Sequence, residues 1–340
     1  MLDAKDKEYF DVKGLMIYDP VLAEGNLQDD IVVVPFVDYH YNLMPFNDSF
    51  VKDIHQRDEK CGYKALREKY LNYPPPGHLP SPLPGIDPKT KKPLPGCEPG
   101  SLFGDVEDAS LAINPCWDIY QVATTCPLLY DVLGFPGSFD YLPEGGEIYF
   151  NRPDVKKAIN APVDRDWSEC GGNVFVHGDN SDASTYKVLP HVIDKTKNVI
   201  IGHGALDMVL IANGTLLSIQ NMTFGGKLGF QRPPIEPFYV PYHKDGSLST
   251  LAGAGVFGTT HSERGLTYVG VSLSGHMIPQ YAPSAAFRQL EVLLGRVDSL
   301  SSKKPFTTDP KFPQPDGPLG RGTAPPGYNS LKPCEKPRNV

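Results

Sequence analysis

The apolar positions fall into blocks whose spacing predicts alternating strands and helices. Leu15, Met16, Ile17 and Tyr18, within residues 10–20, predict a buried strand ending at Asp19-Pro20. Residues 31–37 are apolar but interrupted by Pro35, and they run into an aromatic-rich stretch, 39–50, that reads as helical cap material. Residues 51–71 are charged and roughly helix-periodic. Residues 74–99 hold ten prolines and are extended or turning, because proline removes the N–H donor a helix needs. A helical pattern returns over 107–133, from Ala109 to Leu133, and residues 148–160 read as a short strand leading into a helix capped near Asn151 with Pro153 early in it. Residues 198–203 form a fully apolar run, as in the middle of a parallel sheet. Residues 252–260 and 266–273 predict a hairpin closed by Ser262 to Gly265. After Pro283, the spacing of Ala286, Leu290, Leu293 and Val297 gives one apolar helical stripe. Residues 303–340 hold nine prolines and read as a tail on the surface or disordered.

Composition narrows the function classes. The 340 residues include 35 prolines, about twice the usual ~5 %, which argues against a helical bundle. Thirty-two Lys and Arg against 40 Asp and Glu give a net charge of -8, and there is no basic block, which disfavours nucleic acid and anionic membranes as partners. No apolar run approaches the ~18 residues of a bilayer span.

Six cysteines stand at positions 61, 97, 116, 126, 170 and 334, without the paired Cys-x-x-Cys spacing of a zinc site. Four of them, Cys61, Cys97, Cys116 and Cys126, flank or follow the proline-rich stretch, as disulfides stapling a loop-rich insertion would; buried reduced thiols are the alternative. Asn-x-Ser/Thr sequons lie at Asn47, Asn213 and Asn221, with Asn213 the weakest because its segment reads as helical and partly buried. The first residues show no basic segment followed by an apolar one, so no signal peptide is visible. Secreted character without a signal raises the expectation of a fragment.

Two segments carry chemistry. Gly202 to Met208 follows one apolar strand, and Ser274 to Pro279 follows another. Asp207 and His276 thus sit on loops at the carboxyl ends of strands, in the order in which an α/β-hydrolase places the acid and histidine of its triad. There, histidine takes the proton of a serine hydroxyl, and the carboxylate fixes its tautomer and stabilises its charged form. Taken singly, Asp207 reads first as a helix cap and His276 as a turn residue.

Together these segments resemble the serine carboxypeptidase family, in its carboxypeptidase Y-like, fungal form. The resemblance rests on Gly204, Asp207 and Gly214-Thr215; on Gly275, His276, Met277 and Pro279; on Asn151 to Ala158 followed by Trp167 and Cys170; and on Lys13 to Ile17. It runs from about residue 8 to about residue 298. It implies the carboxyl-terminal part of an α/β-hydrolase fold, with core segments 1–24 and 146–300, a cap insertion over 25–145 and a tail over 301–340. It further implies hydrolysis of C-terminal residues from peptides or proteins through an acyl-enzyme, Asp207 and His276 as catalytic residues, no cofactor and no metal, and a secreted or vacuolar location.

The chain departs from the family at the nucleophile. The family's Gly-Glu-Ser-Tyr-Ala-Gly segment is absent, and so is any Gly-x-Ser-x-Gly; Gly270-Val271-Ser272-Leu273-Ser274 comes nearest. Matching to the family puts the serine upstream of Met1, so this chain is expected to be a fragment with an incomplete sheet and no activity of its own. An inactive pseudoenzyme or binding remnant, or an acyltransferase on the same scaffold, are the alternatives. The resemblance also implies local disulfides within the insertion; four cysteines allow three pairings, and the nested one, Cys61–Cys126 with Cys97–Cys116, is expected. Cys170 matches a cysteine whose family partner lies in the N-terminal half. Neither substrate preference nor oligomeric state is encoded in these motifs.

Overall fold

The computed structural model describes residues 2–3, 6–126, 144–168, 175–177, 179–245 and 253–311. Expectations for Cys170, Cys334, residues 127–133 and residues 312–340 lie outside these. The centre, among the described residues, is a five-stranded mixed sheet in the order β1 (Leu15–Tyr18), β2 (Val199–Gly204), β7 (Leu266–Val271), β6 (Gly255–Glu263) and β5 (Glu236–Val240). Strand β1 pairs in parallel with β2, which pairs in parallel with β7. All six residues of β2 are buried, as its continuous apolar sequence requires of a strand covered on both faces. At the edge, β1 is half-buried throughout.

Strand β6 returns antiparallel beside β7, and β5 forms the other edge. The β6–β7 turn is tighter than the sequence predicts. It consists of Arg264 and Gly265 alone, both at positive φ, the geometry that matches strand twist in a two-residue hairpin. Strand β5 escaped the sequence reading because Pro237 lies within it; an edge strand tolerates proline, and the register shifts there. A small hairpin, β3 (Thr223–Phe224) with β4 (Lys227–Leu228), stands apart.

The pleat sends alternate residues to opposite faces. Val199, Ile201, Leu266 and Tyr268 join a large core shared with helices α1 (Gly25–Gln28), α2 (Asp30–Tyr39), α3 (Asp48–Lys60), α4 (Tyr63–Tyr70) and α5 (Ser101–Ile113). Helices α7 (Val188–Thr196) and α8 (Ala212–Gln220) add to that core, while α6 (Pro153–Ala158) lies nearer the surface. Ile200, Val269 and Val271 face a second core with α9 (Ile278–Tyr281) and α10 (Pro283–Leu293).

Several helices differ from their sequence expectation for identifiable reasons. Helix α2 continues through Pro35 instead of breaking. Proline leaves the carbonyl four residues back, that of Ile31, without its helical donor. The Arg67 guanidinium supplies one, and is itself held by both oxygens of Asp58 at 2.5 and 2.6 Å. Helix α5 begins at Ser101, earlier than predicted, because Asp30 accepts from the amides of Gly100 and Phe103 at its start; it ends before Asn114. Asn151 does not cap α6, and its side chain instead accepts from the Trp167 amide at 2.6 Å. In α10 the polar side is buried as well: Arg288, Gln289 and Glu291 are sealed from solvent. The segment after it covers them, with Phe306 buried and the Thr307 amide donating to Glu291 at 2.6 Å. Residues 301–311 thus lie on the surface, anchored by the buried Phe306 and Asp309, in keeping with the first of the two readings of this segment.

The disulfide pairing is sequential, not nested. Cys61 bonds Cys97, and Cys116 bonds Cys126. The proline-rich loop returns to the end of α3, where Lys60 donates to the Pro95 carbonyl, and so brings Cys97 to Cys61. Helix α5 then carries the chain away, and the next two cysteines close a local turn tied by Asn114 to Thr124. Among the described residues no helix is long and apolar enough to cross a membrane.

Candidate active site

Strands β2 and β7 lie side by side and in parallel, so the loops that follow them leave the sheet together. Two backbone bonds hold the loops in register: Ala205 donates to Val271 at 2.9 Å and Leu206 to Ser274 at 2.8 Å. Gly204 permits this approach, since a Cβ there would lie 2.2 Å from the Gly275 carbonyl oxygen. A third segment, 118–122 within the Cys116–Cys126 loop, crosses both. Met208 donates to Ile119, Val122 to Leu206 and His276 to Tyr120, at 2.8–3.0 Å. Gly275 is equally constrained, because a Cβ would come within 1.9 Å of the Tyr120 oxygen.

The loops bring together the two residues singled out by the sequence. His276 Nδ1 and Asp207 Oδ2 are 2.9 Å apart, although 69 positions separate them. Asp207 is completely buried, while the His276 side chain is 26 % exposed, so the imidazole keeps access to solvent. The Tyr120 ring is tilted against it at 5.4 Å. The arrangement fixes one imidazole nitrogen on a buried carboxylate and leaves the ring able to exchange protons with a group in front of it.

Three further residues surround this pair, and none was assigned a role from sequence. His203 is buried in β2; its Nε2 donates to the Leu210 carbonyl and lies 3.6 Å from Asp207. Burial holds its pKa below the usual value, against the pull of Asp207. His40, at the end of α2, places Nε2 3.0 Å from the Ala205 carbonyl, and burial lowers its pKa to about 4, so the neutral ring donates that hydrogen bond. Asp19, at the end of β1, accepts from the Gly204 amide at 2.7 Å. Its signal was its place, an acid at the carboxyl end of a parallel strand, where such sheets concentrate chemistry. Among the described residues, Asp19, Asp207 and His276 are the one group with metal-ligand proximity, and they already engage one another.

Ser272 and Ser274 are both buried. The Ser272 hydroxyl has no hydrogen-bond partner, and that of Ser274 donates to the Gly275 carbonyl, so neither is paired with His276. A hollow of about 440 Å³ lies beside the loops, bordered by Tyr39, His40, Leu206 and Leu273.

The sequons occupy different settings. Asn47 is exposed at the N-cap of α3, accepting from Phe50 at 3.0 Å. Asn213 belongs to α8, and its sequon threonine, Thr215, is sealed in the core against Gln28. The Asn221 side chain accepts from the Leu79 amide and ties down the proline-rich loop.

The match to a known family extends across this whole framework: residues 2–295 fit the profile described as serine carboxypeptidase. The chain belongs to the serine carboxypeptidase family. It is 54 % identical over 303 residues to a probable serine carboxypeptidase of Arthroderma benhamiae, covering 88 % of this chain and 55 % of that one. It is 42 % identical over 318 residues to the serine-type carboxypeptidase F of Aspergillus niger, covering 88 % and 58 %. The chain thus spans about half the length of the curated relatives it matches. Among solved structures, it resembles Kex1, a prohormone-processing carboxypeptidase from Saccharomyces cerevisiae, with a TM-score of 0.57 at 18 % identity over 88 % of this chain and 58 % of that one. That likeness establishes the shared α/β-hydrolase fold of this serine carboxypeptidase family member.

Proposed function

We propose that this chain contributes the acid and the base of a serine-type carboxypeptidase, which removes C-terminal residues from peptides through an acyl-enzyme. The observation that carries this reading is the 2.9 Å contact between Asp207 and His276 at the carboxyl ends of adjacent parallel strands. In the proposed cycle, His276 takes the proton from a serine hydroxyl as that oxygen attacks the scissile carbonyl. It then returns the proton to the leaving amine. Asp207, buried and bonded to Nδ1, holds the ring in the productive tautomer and stabilises its protonated form. These 340 residues contain no Gly-Glu-Ser-Tyr-Ala-Gly segment, so the cycle requires a serine supplied to the pair. The two disulfides support a secreted or vacuolar setting, and Asn47, exposed and at a helix start, is the favoured glycan acceptor.

The test compares the 340-residue chain with the same chain preceded by the N-terminal half of the 54 %-identical relative. Hydrolysis of a blocked dipeptide, sensitive to a serine-directed phosphonate, is expected only in the second. Turnover by the 340-residue chain alone, or a joined protein indifferent to His276→Ala, overturns the reading. The lack of any Gly-x-Ser-x-Gly segment in the sequence favours one second reading, a non-catalytic binding remnant of the same family. Inactivity of the joined protein supports that alternative.

A further inference from the structure

Asp19 stands where a charged side chain is hard to keep. It closes β1 with φ +43°, a left-handed backbone uncommon outside glycine, asparagine and aspartate, and such conformations concentrate at functional sites. Its side chain is wholly shielded from solvent. One oxygen, Oδ1, receives the Gly204 amide at 2.7 Å and lies 3.5 Å from His203 Nε2. The other, Oδ2, is buried with no hydrogen-bond partner. An ionised carboxylate with one oxygen undonated in a dry interior is costly.

The neighbour that matters is Asp207. One carboxyl oxygen of Asp19, one of Asp207 and a ring nitrogen of His276 all lie within 4.8 Å of one another. Two anions cannot share such a space, whereas one proton between them turns repulsion into a hydrogen bond. The other titratable groups facing Asp19 are Tyr18 of β1, Tyr268 of β7, His203 of β2 and, beyond Asp207, His276. Burial raises both tyrosines and lowers His203, which leaves all three neutral. No cation among them compensates a second negative charge. Burial, and then the Asp207 charge, push the Asp19 acid well above the usual carboxylate range.

We propose that Asp19 is a positioning residue for the Asp207–His276 pair: a neutral carboxylic acid that donates a hydrogen bond to the Asp207 carboxylate, holds it against the imidazole and moderates its pull on the imidazole proton. The inference rests on the acid–base roles given above to Asp207 and His276.

The test follows two groups by NMR in the 340-residue chain: the Asp19 carboxyl carbon, assigned by its loss in Asp19→Asn, and the His276 ring. In the unmodified chain the Asp19 carbon is expected to keep the chemical shift of a protonated acid at pH 6. Titration together with ordinary carboxylates, below about pH 5, overturns the proposal without any variant. For His276, Asp19→Asn retains a donor to Asp207 and is expected to leave the titration midpoint within about 0.3 of the parent, whereas Asp19→Ala removes the donor and raises it by roughly 0.5 or more. A fall of about one unit in both variants means that an anion was removed, and no movement in either means that Asp19 only fills space; each result overturns the proposal. Asp207→Asn separates the two readings. If it fails to lower the His276 midpoint, the acid–base pair itself is wrong. If it lowers that midpoint while the Asp19 results fail, only the role of Asp19 is wrong.

Discussion

Arg67 donates to the carbonyl of Ile31, the helical acceptor that Pro35 strips of its own donor. A residue 36 positions away thus completes a helix that its local sequence alone would break. The same guanidinium is clamped by Asp58, and both side chains are almost fully buried.

Replacing Arg67 by alanine is therefore expected to cost about 3–5 kcal/mol, mostly because the Asp58 charge is left buried and unpaired. Urea denaturation checks this as a lower midpoint at unchanged slope. Pro35→Ala restores an amide to Ile31 and is expected to soften the loss in a double-mutant cycle. A cost under about 1 kcal/mol for Arg67→Ala, the range of exposed pairs, contradicts the buried clamp.

In the joined, active protein, His276→Ala is expected to lower kcat by about 10⁶-fold and Asp207→Ala by about 10⁴-fold, with little change in KM. Losing both is expected to cost scarcely more than losing His276 alone, since the two act as a unit. Additive losses in steady-state kinetics argue against a shared proton-transfer path.

Asp29 gives a pH signature to stability. Burial and the adjacent Asp30 carboxylate push its pKa up to about 7. Unfolded, it releases its proton near pH 4. Between these values the folded chain holds more protons than the unfolded one, so this residue's contribution to stability is full at about pH 4 and declines toward pH 7. Asp29→Asn is expected to flatten that slope while leaving the low-pH melting temperature nearly unchanged. Melts across pH 4–8 in both proteins provide the check; parallel curves refute it.

The two disulfides are expected to separate stability from activity. Cys61–Cys97 spans 36 positions and Cys116–Cys126 only 10. Chain-entropy reasoning assigns about 4 and about 3 kcal/mol respectively. Removing the shorter one is nevertheless expected to reduce kcat more, because residues 118–122 inside it hold both site loops. The measurement pairs thermal melts with kinetics for each double Cys→Ala variant of the joined protein.

What the sequence revealed followed from local pattern. Strands β1, β2 and β7 are dense apolar runs, and Asp207 and His276 stand just past two of them, so both the sheet centre and the meeting of these residues were legible. What it concealed depends on distant contacts. Helix α2 needs Arg67, α5 needs Asp30, and the polar side of α10 needs the segment around Phe306. The disulfide pairing depends on where the proline-rich loop turns back. His203 lay in full view within Gly202-His203-Gly204, yet only its depth in β2 reveals that it backs the acid. Asp19 read only as the end of a strand, at Asp19-Pro20, and only the pairing of β1 with β2 brings it to Gly204.

The three bonds from residues 118–122 to the site loops use main-chain atoms alone. Any residue type other than proline can make the donor contact from Val122, and any residue at all can offer the carbonyls of Ile119 and Tyr120. The Tyr120 ring beside His276 takes no part in these three bonds, unlike the Asp118 carboxylate, which accepts from the Tyr120 amide, and Val122, which is buried in the core. Holding the site and shaping what it admits fall to different atoms of Tyr120, so substitutions there can redraw preference while the geometry of the acid and the histidine stays in place.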